Sequence, residues 1–259
     1  MSSIAHVASP ETEELKQKRK ELSALERELT DRELQLSTLK GEIHFFERLY
    51  ERVVGVKYAE LDEVKAQVLE LASRLYPRSD EFRTGAESAR EKAGKSANES
   101  SPEEVDVPQE KDFKPPESLK KLFRRVAKKI HPDLASDEKE RALRDKLMAR
   151  LNRAYDRMDQ EAIRAVLTDW ESGDHADGET NLGTRLVRTV RQIAQVRKRL
   201  NSIFTEMEKL ENSGMNLLKN RIESAKKESR DFLQEKADEI DEKIISLKSK
   251  IKDLADELA

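Results

Sequence analysis

"SLKKLFRRVAKKIHPDLASDEKERA", running from Ser118 to Ala142, is the stretch from which the fold is best read. Leu119, Leu122, Phe123, Val126 and Ile130 recur at helical spacing and predict one apolar face. Lys120, Lys121, Arg124, Arg125, Lys128 and Lys129 fill much of the rest, with no acid between Leu119 and Ile130. Pro116 suits a first helical turn, where its missing N–H costs nothing, and Glu117 complements the positive end of the helix dipole. Cations in the last turn suit a helix C-terminus, but six with no acid among them exceed that need. Pro132 disfavours helical backbone at His131. The helix is therefore expected to stop there and to hold His131-Pro132-Asp133 on an exposed turn.

Downstream, Leu143, Leu147, Met148, Leu151, Ala154, Tyr155 and Met158 predict a second helix whose apolar residues match the first. Two such helices joined by a short polar loop make an antiparallel pair. Ile163, Val166, Leu167 and Trp170 add a short third helix. Ser118–Trp170 holds 14 Lys and Arg against nine Asp and Glu, whereas Pro77–Glu117 holds seven against 11. The basic character is thus local.

"FRRVAKKIHPD" resembles the second helix and His-Pro-Asp loop of a J-domain, the module of DnaJ-type co-chaperones. "MARLNRAYDRM" is similar to the family's third helix, with Asn152, Ala154 and Tyr155 matching its Asn-x-Ala-Tyr pattern, and "DQEAIRAVL" resembles the segment after it. The resemblance covers residues 113–170. It departs from the family where a short helix with a Tyr-x-x-Leu-Gly pattern should precede the basic one; this chain has "VDVPQEKDFKPPE" instead. Phe113 or a flanking helix is expected to complete the core.

The resemblance implies binding to the ATPase domain of a DnaK-type heat-shock chaperone. Lys121, Arg124, Arg125, Lys128 and Lys129 would dock on an acidic surface, and His131, Pro132 and Asp133 would trigger ATP hydrolysis by the partner. An Asp133 carboxylate on an exposed turn could pair with a partner Arg. The family's zinc-binding and glycine/phenylalanine-rich regions are absent, with no Cys and eight Gly in the chain.

The flanks read as heptads. Leu15, Leu22, Leu29, Leu36, Ile43 and Tyr50 are spaced by seven, and Leu25, Leu39, Phe46 and Val53 follow three positions behind members of that series. A helix over residues 11–54 would be roughly 65 Å long and needs a partner. Gly55 interrupts the pattern before Leu61, Val64, Val68, Leu71 and Leu75, which predict a folded-back helix or a kinked continuation. Leu186, Ile193, Leu200 and Met207, with Val196, Ile203 and Leu210, form another series, and Ile240 to Leu258 a further one beyond Gly214. Either oligomerisation or intrachain bundling would bury these stripes.

The expected organisation is a flexible N-terminus over 1–10 and a coiled coil over 11–76. A disordered linker over 77–112, rich in Ser, Glu and Lys, leads to the J-domain-like module at 113–170. A hinge over 171–181 and a second coiled coil over 182–259 complete an all-α chain.

Composition agrees. Charged residues make up 40% and aromatics 5%, which suits long solvated helices. The net charge of −3 rules out a general polyanion binder. No run approaches a membrane span, and "MSSIAHVASPETEEL" lacks the pattern of a secretory signal, so a cytoplasmic protein is expected. Enzymatic function is not expected: His131 and Asp133 flank a proline, with no nucleophile nearby. His6, His44, His131 and His175 are scattered, so no metal or cofactor is expected either. Two alternatives to the co-chaperone reading stand. One is a coiled-coil scaffold with a vestigial J-like module. The other is nucleic-acid binding through the basic helix, against which stand the acidic net charge and the lack of an aromatic platform.

Overall fold

The computed structural model describes residues 9–99, 113–135, 137–173 and 181–258. These form nine α-helices and no strand among the described residues, so the fold is all-α. They are α1 (Pro10–Tyr50), α2 (Val56–Leu75), α3 (Asp80–Glu99), α4 (Glu117–Ile130), α5 (Glu138–Asp156), α6 (Gln160–Glu171), α7 (Leu182–Glu211), α8 (Gly214–Lys227) and α9 (Phe232–Leu258). Residues 1–42 and 113–213 group into one unit, and 43–112 and 214–259 into another. The expected flexible N-terminus lies mostly outside the described residues, as do 100–112 of the linker and 174–180 of the hinge.

In the first unit, α1 and α7 bury their heptad stripes against each other. Leu22, Leu29 and Leu36 of α1 share a core with Ile193, Val196 and Ile203 of α7, flanked by Leu25, Leu200, Met207 and Leu210. A fully buried side chain of this size contributes about 1.5–3 kcal/mol, so the stripe is satisfied within one chain. Of the two ways of burying it that the sequence left open, this unit uses intrachain packing.

The same unit contains α4, α5 and α6. Arg144 at the start of α5 bonds the C-terminal carbonyls of α4, while Tyr155 at the end of α5 packs on Phe123 in mid-α4. The two helices therefore run antiparallel. Phe123, Val126, Ile130, Leu151, Tyr155, Ile163 and Val166 are almost wholly inaccessible and form the core, while Leu122 is only half-buried. Asp137 and Asp159 cap α5 and α6 by accepting the N–H groups of Glu140 and Ala162.

α1 and Phe113 wall one side of this helical core, as expected of Phe113 or a flanking helix. Phe113 is buried edge-on to Tyr155, with ring centroids 6.1 Å apart, and its other side lies on Gly41. The Thr38 and Tyr155 hydroxyls are hydrogen-bonded at 3.0 Å, and Ser37 donates to Asn152 at 3.2 Å. Asn152 and Tyr155 of the Asn-x-Ala-Tyr helix thus hold α1.

In the second unit the helix does not stop at Gly55. The backbone stays helical there, with φ −58° and ψ −48°, through one π-helical turn over Glu51–Gly55. The wider turn resets the phase between two apolar stripes without breaking the helix, so the continuation, not the fold-back, is realised. Phe46, Val54, Leu61 and Val64 pack with Ile222, Leu233, Ile240 and Ile244.

The expected disorder over 77–112 is corrected at Asp80–Glu99, which is α3 packed on α2. Its apolar signal was too thin to read because it is carried by alanines: Ala86 and Ala93 are buried. Phe82 also stacks on Tyr76, and polar contacts add to the attachment. The buried Asp62 carboxylate accepts bonds from Lys92 at 3.2 Å and Ser96 at 3.0 Å, and Arg90 clasps Glu63.

Candidate functional site

The basic helix forms as expected, with Leu119, Phe123, Val126, Ala127 and Ile130 buried. It ends at His131, whose φ −61° and ψ 129° are the extended backbone that a following proline imposes. Pro132–Leu134 then form one 3-10 turn. The sequence did not reveal what fixes this turn. Arg144 is buried and stacks over the Trp170 ring at 4.5 Å. It donates to the carbonyls of Lys129 at 3.0 Å and His131 at 3.1 Å, while Glu140 holds the same guanidinium. A side chain of α5 thereby satisfies carbonyls that the end of α4 leaves without helical partners. The available signal was an Arg placed three, four and seven residues before Leu147, Met148 and Leu151, on an otherwise apolar face.

The turn is only partly exposed, and its histidine is closed off. His131 is 3% exposed, because α1 covers it. Its Nε2 lies 3.1 Å from Glu33 Oε1, and the Asp133 N–H donates to its Nδ1 at 3.2 Å. Nδ1 must then carry a lone pair and Nε2 the proton that goes to Glu33. Arg199 of α7 bonds both oxygens of the same carboxylate, at 2.7 and 3.1 Å. Leu134 packs into the α1–α7 core, and its carbonyl accepts a bond from Gln192 of α7. Pro132 alone could end the helix, but sequence spacing could not show that two distant helices would close over the turn.

Charge follows this burial. Burial alone would raise the Glu33 carboxyl, but hydrogen bonds from His131 and Arg199, with the nearby charge, outweigh it and hold it below its ordinary value. Asp133 is shifted the other way. Burial pushes its carboxyl up, and the positive groups around it compensate only in part. The nearest cation, an Arg141 nitrogen, is at 4.0 Å, and His131 Nδ1 is at 3.9 Å, both beyond hydrogen-bonding distance.

The expected docking cations divide into two sets. Lys121, Arg125 and Lys128 are exposed on one face of α4. Arg124 bonds Asp31 at 2.8 Å and pairs with Glu117, and Lys129 bonds Glu171. The expectation that acids within the chain leave these cations unpaired is therefore corrected for two of the five. The neutralising residues come from α1, the first turn of α4 and α6, beyond the reach of an i,i+4 search.

Among the described residues, no three His, Asp or Glu side chains are gathered in a manner suited to a metal ion, and no helix is long and apolar enough to cross a membrane. Compared with protein-family models, with curated proteins and with solved structures, the chain gives no match.

Proposed function

We propose that residues 113–170 act as a J-domain-like co-chaperone module that binds a DnaK-type heat-shock chaperone and stimulates its ATP hydrolysis. One observation carries the reading: a helix with no acid beyond its first residue, exposing Lys121, Arg125 and Lys128 on one face, ends at a His-Pro-Asp turn fixed by the antiparallel helix beside it. Exposed cations steer and orient an acidic partner surface. Asp133, short of close cationic partners within its own chain, is suited to receive an Arg from outside. The flanking helices would present the module or gather a target, and a chain without Cys is compatible with the reducing cytoplasm.

A scaffold whose J-like turn is only a packing element is favoured by one observation, the burial of His131 against Glu33. Turnover separates the two readings. The full chain should accelerate ATP hydrolysis by a DnaK-type chaperone, Asp133→Asn should abolish the acceleration, and charge reversal of Arg125 and Lys128 should weaken binding in a salt-dependent way. Undiminished acceleration by Asp133→Asn would defeat the co-chaperone reading. Binding to duplex DNA that ignores Asp133→Asn and fails on charge reversal would favour a nucleic-acid partner instead.

A further inference from the structure

We infer that Glu33 is a latch that holds His131 of the His131-Pro132-Asp133 turn closed beneath α1 and α7, so that this histidine reaches a partner only when these helices let go. The inference rests on the co-chaperone reading and adds a regulatory step to it.

Three features of the first unit carry it. The contact is buried on both sides, with the His131 and Glu33 side chains 4% and 3% exposed, so a second protein cannot reach His131 without a rearrangement. It is also specific. One carboxylate on α1 receives the turn through His131 and α7 through both Arg199 nitrogens, joining three elements at one residue. Finally, the closed arrangement does not suit Asp133, which is largely buried while its nearest cation, Arg141, stands 4.0 Å away. A closed state comfortable for His131 and uncomfortable for Asp133 is poised against an open one in which a partner's cation could satisfy the carboxylate.

The cover is held by the apolar α1–α7 seam, with replaceable polar contacts along its edge. Arg199 is about one-third exposed (34%), and Lys40 pairs with Glu206 close to the same network. Release therefore requires parting the α1–α7 seam around Glu33, beginning at this water-contacting edge. A ligand that pulls α1 from α7 would raise the open population by the ratio of its affinities for the two states.

The test uses the full chain with Glu33→Gln and, separately, Arg199→Gln, after circular dichroism shows native helix content. Diethyl pyrocarbonate labelling, read by mass spectrometry, reports access to His131, with exposed His44 as the internal reference. His131 should be protected in the natural chain, and its labelling should rise about tenfold in both variants, together with a similar rise in chaperone ATP turnover at sub-saturating protein. If His131 labels as fast as His44 in the natural chain, or stays protected in both variants, the latch is wrong whatever the turnover. If His131 opens while the natural chain already stimulates as strongly as the variants, the contact is not regulatory. If it opens and no form stimulates, the co-chaperone reading falls and takes the regulatory step with it.

Discussion

His131 and Glu33 lie 98 residues apart in sequence, yet Nε2 of one stands 3.1 Å from Oε1 of the other, with both side chains almost fully buried. The contact joins the end of the basic helix to the centre of the first heptad helix. Much of the site's electrostatics follows from it.

Acid should loosen the first unit through Glu33. Its carboxyl is held below its ordinary value of 4.5 in the folded chain. The stability it contributes is therefore fully present above that pH and is lost as pH falls through the lowered folded-state value. Glu33→Gln should cost about 1–3 kcal/mol at pH 7, less than a fully buried pair because Arg199 is partly exposed. Urea melts at pH 7 and across the acid range should show a lower midpoint and a shallower acid limb than in the natural chain.

Asp133 should behave in the opposite sense. Burial raises its carboxyl above its ordinary value of 3.8, so its penalty is absent below that pH and grows as pH rises through the raised value. Asp133→Asn should melt at or above the temperature of the natural chain at pH 7, with the difference vanishing below the ordinary carboxylate range. A large destabilisation at pH 7 would mean that the carboxylate is well satisfied within the chain.

Gly41 should resist enlargement. A Cβ there would stand 2.4 Å from the tip of the Phe113 ring, which is wedged between this glycine and Tyr155. Gly41→Ala should cost about 1–3 kcal/mol by overpacking, although alanine is the better helix former. Gly41→Ala combined with Phe113→Leu should recover part of the loss, since the smaller side chain vacates the space. Thermal melts of the two variants decide it.

Asp62 should govern whether α3 stays on α2. It is the buried acceptor for Lys92 and Ser96, and Asp62→Ala leaves those groups to find water. A loss of about 1–3 kcal/mol is expected. It should be visible as faster amide exchange and proteolysis within residues 80–99, while residues 117–171 keep their protection. Uniform loss across both segments would contradict a local role.

Arg144 should matter beyond its charge. Arg144→Lys keeps the cation but cannot span the Lys129 and His131 carbonyls and the Glu140 carboxylate with one planar fork. It should cost about 1–3 kcal/mol and raise amide exchange around His131–Leu134. Unchanged exchange in that turn would remove Arg144 from the account.

Much of this was legible in the chain. Apolar spacing locates the faces of α4, α5 and α7, apart from the exposed Leu143 of α5, and Pro132 dictates the end of α4, because a 3.6-residue period and a proline act locally. The seven-residue stripes likewise require burial, and Leu22, Leu29 and Leu36 are buried. What remained hidden was carried by polar and small residues. Asp62, Ala86 and Ala93 give no hydrophobic pattern, so α3 read as linker. Arg144 and Glu33 looked like ordinary charges on ordinary helices.

The sequence by itself determined that the chain is helical, where the basic face lies and that His131, Pro132 and Asp133 share one turn. Only the tertiary structure decided that His131 is covered. Whether a side chain is buried depends on which distant surface folds over it. Glu33 and Arg199 are 166 residues apart, and nothing in their own surroundings says that they will meet over a histidine.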